Sequence, residues 1–356
     1  MQFSLFRQRW KDFGFAASTR GISAVEAVRM ARYGFVPELT SPPRQISPPK
    51  EPSWSAAQLS VMTDITNDLL ETSQIEPVPD PDFSLAKLHL AALSSMCFYA
   101  GVPFQVPKVV LPFVHVMFAV PKKGNKWRGV SGLSMFNSNV VPRHFKMEGL
   151  HSLRALLRPL DFMAVIDLSA AFPTMGINMR YRDYFIFRFR GKFYRYRGAV
   201  FGISSLPRAF TKLLRPVIAF LRSFGIRLVI FIDDILVMGE SYASAVSDVQ
   251  DVLTILTWLG FVISTKEQVC LVPAQRQVWC GALICSLTMH FFLPNDKLRS
   301  VQQTCRAALR SIKRREPLPL RRWASILGVM RATDFAVLPA KLWSQPIRRL
   351  TTPHVR

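Results

Sequence analysis

Three aspartates carry the chemistry this sequence offers. Asp233 and Asp234 stand side by side inside an otherwise apolar run, Leu228–Met238 (LVIFIDDILVM), and Asp167 is the penultimate residue of another, Phe162–Leu168 (FMAVIDL). An apolar hairpin has no use for adjacent charges unless they occupy its turn, where Asp tolerates unusual φ and stays wet. Taken singly, the pair suits a solvated turn and Asp167 suits a helix N-cap for the segment that follows. Taken together, two strand ends presenting three carboxylates in a strongly basic protein form an arrangement that binds two divalent cations. Two Mg²⁺ so held can activate a 3′-hydroxyl and stabilise the leaving pyrophosphate of an in-line phosphoryl transfer. Without metal, like charges so close are costly.

The 356 residues carry 46 Lys and Arg against 23 Asp and Glu, a formal charge of +23. Self-repulsion of that size is most easily tolerated opposite a polyanion, either nucleic acid or an anionic membrane surface. A hydrophobic share of 49% excludes wholesale disorder. The cysteines Cys97, Cys270, Cys280, Cys285 and Cys305 are odd in number and contain no CxxC pair. They signal neither a disulfide framework nor a zinc site, and suit an intracellular setting in cytoplasm or nucleus. Leu88–Pro107 lacks Lys, Arg, Asp and Glu, but Ser94, Ser95, Pro103, Gln105 and Pro107 argue for a buried helix and an extended segment rather than a span. No membrane partner is expected.

The elements that must position the acids follow from periodicity. Phe162–Leu168 reads as a buried strand. In Arg190–Val200 (RGKFYRYRGAV) aromatics alternate with Arg, predicting a strand with one wet, basic face. From Ser205 to Arg222, Leu206, Phe210, Leu213, Val217 and Leu221 recur at helical spacing, with Ser205 as cap, Pro207 in the first turn and Pro216 as a kink. Leu228–Met238 reads as strand, turn and strand, and Ala243–Leu259 as an amphipathic helix stopped by Gly260. This order predicts an α+β domain with helices packed on an antiparallel sheet. Residues 1–80 read as a basic, Pro-rich, partly disordered N-terminal extension, with SPPRQISPPKEP (41–52) as an extended linker. Beyond about Leu293 lies a basic, helix-prone tail.

In order along the chain, Asp167-Leu-Ser-Ala-Ala-Phe172, FGISSLPRAF (201–210), FIDD (231–234), LGFVISTK (259–266) and WCG (279–281) resemble the motifs of reverse transcriptases. Upstream, VPKKGNKWRGVSGLSMFN (120–137) resembles the fingers motif that precedes them. HFKMEGLHSLRALL (144–157) and LPNDKLRSV (293–301) look most like the DIRS class of tyrosine-recombinase retrotransposons. The resemblance covers about residues 105–345. It implies a right-hand polymerase with fingers at 81–157, a palm with carboxylates and primer grip at 158–290, and a thumb- or connection-like basic helical region at 291–356. The implied reaction is RNA-directed DNA synthesis, adding dNTPs to a primer 3′-OH on an RNA or DNA template with two Mg²⁺ or Mn²⁺. Relatives usually continue into an RNase H domain, of which no pattern of spaced acids is visible, so a truncated copy, a separate module or a domesticated remnant is expected.

The same resemblance implies roles. Asp167 and Asp233 would ligate metal, with the Leu168 carbonyl as an extra ligand, and Asp234 would complete the triad. Lys122 or Lys123, with Arg128, would hold the incoming triphosphate; the same residues also suit a solvated basic hairpin. Phe172 stands where RNA-synthesising relatives carry an Asp that receives the ribose 2′-OH, so its ring would exclude that hydroxyl and favour deoxynucleotides; it also suits the core. Gly202 and Pro207 would shape the template and nucleotide side of the pocket, and Lys266 matches a proton donor to pyrophosphate; it equally suits a solvated lysine after a strand. Trp279 and Gly281 resemble the primer-gripping hairpin, and also suit an ordinary one. Arg195 and Arg197, interleaved with aromatics, suit either phosphate contact with stacking or the wet face of a β-ribbon. The sequence departs from the family at Gly132, Ser134, Ala170 and Phe231, and the missing base at Ser134 keeps open a second reading, a nucleic-acid-binding remnant without turnover.

Overall fold

The computed structural model describes residues 5–84, 112–122, 126–265, 270–337 and 339–351. Lys123, Lys266 and the Leu88–Pro107 segment lie outside the described residues. In chain order the elements are α1 (Arg7–Ser18), α2 (Val25–Tyr33), α3 (Ala56–Glu71), β1 (Ile75–Val78), β2 (Val114–Lys122), β3 (Lys126–Gly132), α4 (Ser134–Asn137), α5 (Leu150–Leu156), β4 (Phe162–Ser169) and α6 (Ala171–Thr174). A 3₁₀ turn (Met179–Tyr184) leads to β5 (Ile186–Phe189), β6 (Lys192–Tyr196), α7 (Leu206–Arg222), β7 (Arg227–Phe231), β8 (Asp234–Gly239) and α8 (Tyr242–Trp258). There follow β9 (Val262–Ile263), β10 (Cys270–Ala274), β11 (Arg276–Trp279), β12 (Ala282–Cys285), β13 (His290–Phe292), α9 (Asn295–Lys313), α10 (Leu320–Arg331), α11 (Ala340–Trp343) and α12 (Gln345–Thr351). Two compact units result, the first from Met1–Lys146, Leu168–Phe224 and Thr254–Ile263, the second from Met147–Asp167, Gly225–Leu253 and Ser264–Arg356.

In the first unit a five-stranded sheet runs β1-β6-β5-β2-β3, antiparallel except where β2 lies parallel to β5. Helix α7 forms because its apolar residues recur three and four apart, and Leu206, Phe210, Leu213, Val217 and Leu221 are all buried. The helix continues through Pro216. Ser205 does not cap it: its backbone is already helical (φ −85°, ψ −9°), not extended as a capping side chain requires. Its buried hydroxyl has no hydrogen-bond partner among the described residues. The predicted single strand at 190–200 is instead part of the β5–β6 hairpin, because Arg190 and Gly191 both adopt positive φ and turn the chain.

Residues 5–80 are built into this unit rather than appended to it. Trp10, Phe13 and Ala17 line one stripe of α1 and are buried. The Trp10 indole N–H donates to the Leu259 carbonyl at 3.0 Å, and Phe13 packs edge-on to Phe220. The 41–52 segment is extended as expected but is no free linker. Gln45 exchanges two hydrogen bonds with the Val114 backbone (2.9 and 2.6 Å), and the Glu51 carboxylate accepts the Arg190 and Gly191 amides at 2.6 and 3.2 Å.

In the second unit β10, β4, β8 and β7 are neighbours in that order, and β11-β12-β13 form a small antiparallel sheet. Met163, Val165, Val229, Leu236, Met238, Trp279 and Ile284 pack into one core with Leu153 and Leu157 of the α5 region. Asp161, 1% exposed, is clamped by the Arg227 guanidinium through bonds of 2.6 and 2.7 Å. Among the described residues no helix is long and apolar enough to cross a membrane.

Candidate active site

Strands β4 and β8 bring the acids together. They pair antiparallel from Phe162↔Gly239 to Asp167↔Asp234, so two aspartates distant in sequence lie directly opposite one another at the sheet's end. Opposed residues in such a ladder have Cβ atoms about 4.5–5.5 Å apart. Phe231↔Asp234 closes the β7–β8 hairpin, leaving Ile232 and Asp233 as a two-residue turn. Ile232 has φ +60°, a left-handed conformation that costs a β-branched residue about 1–2 kcal/mol. That strain is held by the apolar strands on either side, and it presents Asp233 from the tip of the turn beside Asp234.

The electrostatics follow from this crowding. Burial, with Asp167 and Asp233 close by, pushes the Asp234 carboxyl up to about 7, against an opposing pull from the Cys280 backbone N–H that donates to it. The Cys280 thiol is pushed up to about 12 by burial and by the Asp234 and Asp233 charges. Hard carboxylate oxygens of accumulated negative charge are the donor set that Mg²⁺ and Mn²⁺ prefer, so the residues fit such ions in kind. Among the described residues no three His, Cys, Asp or Glu side chains already converge on one point. Waters and backbone oxygens would complete any ion's shell.

The WCG segment underlies the acids. Trp279 is buried in the core, and its indole N–H donates to the Asp234 carbonyl at 3.3 Å. The ring is a buried prop for β8 within the core of this unit. Cys280 (φ +49°) and Gly281 (φ +71°) form the tight turn between β11 and β12. Lys297 of α9 donates to the Gly281 carbonyl at 3.1 Å. Neither the Cys280 amide nor Lys297 was legible as a site residue, since backbone donors carry no side-chain signature and Lys297 is 16 positions from its acceptor.

The other expected residues among those described lie in the first unit. Leu168, the next residue of β4 after Asp167, pairs with Ile263 of β9. Lys122 pairs with Lys126 at the end of the β2–β3 hairpin, and Arg128 is exposed opposite Val120. Phe172 is half-buried and packs on Phe201 and Phe210 at 5.1 and 5.4 Å. Gly202 (φ +103°) does make a turn that a side chain would strain. That turn is clamped by Asn137, whose amide N–H donates to the Gly202 carbonyl at 2.7 Å while its oxygen accepts the Ser204 amide at 2.9 Å. Pro207 sits in the first turn of α7. The Arg195 guanidinium bonds to Glu76 (2.7 Å) and Asp183 (2.7 Å), two acids of the same unit. Arg197 lies 3.6 Å from the same Glu76.

The sequence profile of the family described as "Reverse transcriptase (RNA-dependent DNA polymerase)" matches residues 120–306, more than half of the chain. No curated protein sequence matches it. Among solved structures, the foamy viral protease-reverse transcriptase in complex with an RNA/DNA hybrid is similar with a TM-score of 0.58 and 17% identity, over 90% of this chain and 38% of that one. The same viral protein in complex with dsDNA is similar with a TM-score of 0.59 and 18% identity, over 94% and 65%. The chain spans less than two thirds of the length of either. At this identity the likeness is one of fold, a mixed helix-and-sheet architecture of palm, fingers and thumb.

Proposed function

Because the chain belongs to the reverse transcriptase (RNA-dependent DNA polymerase) family, we propose that it lengthens a primer 3′-OH with dNTPs on an RNA or DNA template. The observation that carries this reading is Asp167 opposite Asp234 at one sheet end, with Asp233 in the adjoining turn. Asp167, Asp233 and Asp234, with the Leu168 carbonyl, would hold two divalent cations, Mg²⁺ or Mn²⁺. Bound there, the ions supply the Lewis acidity that activates the 3′-hydroxyl and steadies the leaving pyrophosphate. The Cys280 amide keeps the Asp234 carboxylate in place, and the strained Ile232 turn holds Asp233 to one geometry. Arg128 with Lys122 or Lys123 would offset the triphosphate charge, and Lys266 would protonate pyrophosphate. The Phe172 ring would reject a 2′-hydroxyl, so Phe172→Ala should raise ribonucleotide incorporation; unchanged sugar selectivity would remove that role.

The foamy viral structures hold an RNA/DNA hybrid or dsDNA, and we carry the same ligand class to this +23 chain. Within the reading, fingers lie at 81–157, palm at 158–290 and thumb at 291–356, the element is of the DIRS class, and the work is done inside the cell. The test is primer extension on poly(rA)/oligo(dT) with dTTP, with and without Mg²⁺ or Mn²⁺, beside Asp233→Asn. Metal-dependent product from the parent alone is expected. Equal extension by both proteins would overturn the site, and salt-sensitive duplex binding without product would favour the silent, nucleic-acid-binding remnant.

A further inference from the structure

The 41–52 segment contains the same four-residue pattern twice, Ser41-Pro-Pro-Arg44 and Ser47-Pro-Pro-Lys50. A serine followed at once by proline, with a base three residues on, is what proline-directed protein kinases with a basic +3 preference read. Proline fixes an extended backbone and leaves no N–H to satisfy at +1, and the base supplies a charge for an acidic subsite. By sequence the two serines are equivalent. In the folded chain they are not.

Ser41 is tied into a small ladder. Leu39 bridges Val140, the Val141 amide donates to the Glu38 carbonyl at 2.8 Å, and the Thr40 amide donates to the Asn139 carbonyl at 2.8 Å. The Ser41 hydroxyl itself donates to the Asn139 side-chain oxygen at 3.0 Å, and Pro43 is buried. Ser41 is itself exposed, as are Pro42 and Arg44, so what sets it apart is the hydroxyl bond to Asn139, which must open before the oxygen can attack. Ser47 instead lies on the arc between two anchors, Gln45 on Val114 and Glu51 on the Arg190–Gly191 turn. Ile46, Ser47 and Lys50 on that arc are exposed, and no hydrogen bond holds the Ser47 hydroxyl among the described residues.

We propose that Ser47 is a phosphorylation site for a proline-directed, basic +3 protein kinase in the folded protein, and that Ser41 is held back by its hydroxyl bond to Asn139. In the step, the Ser47 oxygen displaces ADP from the γ-phosphorus of ATP, forming one O–P bond and releasing the hydroxyl proton to the kinase. The product places a charge of about −1.5 to −2 on the residue before Pro48, which lines a 360 Å³ cavity together with Asp80, Arg188 and Lys192. The Arg188 Nε there lies 3.9 Å from Glu51.

The test incubates the full chain, folded, with ATP and a proline-directed kinase of this class, and measures phosphate at each serine by mass spectrometry. A synthetic 38–53 peptide is treated alongside. Ser47 should be modified at least about tenfold faster than Ser41 in the protein, the factor that opening one or two net hydrogen bonds imposes. In the peptide the two rates should converge, and Lys50→Ala should suppress Ser47 alone. Equal or reversed rates in the folded protein would overturn the proposal, as would a peptide modified at Ser41 and not at Ser47. A peptide that keeps the folded protein's ratio would overturn the hold on Ser41.

Discussion

Replacing Asp234 by Asn should make the metal-free protein more stable while removing its proposed metal site. Asp234 is carried from 3.8 to about 7 by burial and by the Asp167 and Asp233 charges. Its folded pKa lies above its unfolded one, so the stability tied to its proton is whole below pH 3.8 and is lost as pH rises through 7. The full loss corresponds to about 4 kcal/mol. Asn is uncharged at every pH, and its side-chain oxygen can still accept the Cys280 amide. The stability difference between Asp234→Asn and parent should therefore be small at pH 4, widen through neutrality and level off near pH 8. Urea unfolding in EDTA at pH 4, 6 and 8 measures it. Added Mg²⁺ should raise the parent's midpoint by mass action and leave the variant's unmoved. A difference that does not grow with pH would refute the claim that crowded carboxylates raise Asp234.

Three further outcomes follow from the packing. Asp161→Asn leaves the Arg227 guanidinium, 16% exposed, without its carboxylate and should cost about 3–5 kcal/mol, read as a lower urea midpoint. Burial pushes His115 down to about 4, so its contribution is whole above pH 6.5 and lost as pH falls to 4, by about 3 kcal/mol. His115→Phe should flatten that acid limb in a stability–pH profile. Arg195→Ala should destabilise the fold by about 1.5–3 kcal/mol through Glu76 and Asp183. It should leave the salt slope of duplex binding unchanged, whereas loss of a phosphate contact would lower that slope by about 0.9.

Much of the fold was legible because the signals are local. Helix α7 ends within a residue of its apolar periodicity, and β7 and β8 flank the two aspartates as the apolar run around them requires. Ser205 failed as a cap because capping depends on one residue's φ and ψ, which composition does not specify. The β5–β6 turn was missed because left-handed Arg190 has no signature of its own beside Gly191.

By itself the sequence determined which residues carry charge, which elements bear them, and that three acids end apolar strands. Those properties are set by neighbours a few positions apart. Only the tertiary structure decided that Asp167 faces Asp234, since a one-residue slip of β4 against β8 would turn it to the other face. It also decided that Arg195 spends its charge on Glu76, 119 residues away, and that Trp279 props β8 from within the core. It likewise ties the Ser41 hydroxyl to Asn139, 98 residues away. Burial, register and ion pairing join residues distant in sequence, and their energies exist only once the chain has closed around them.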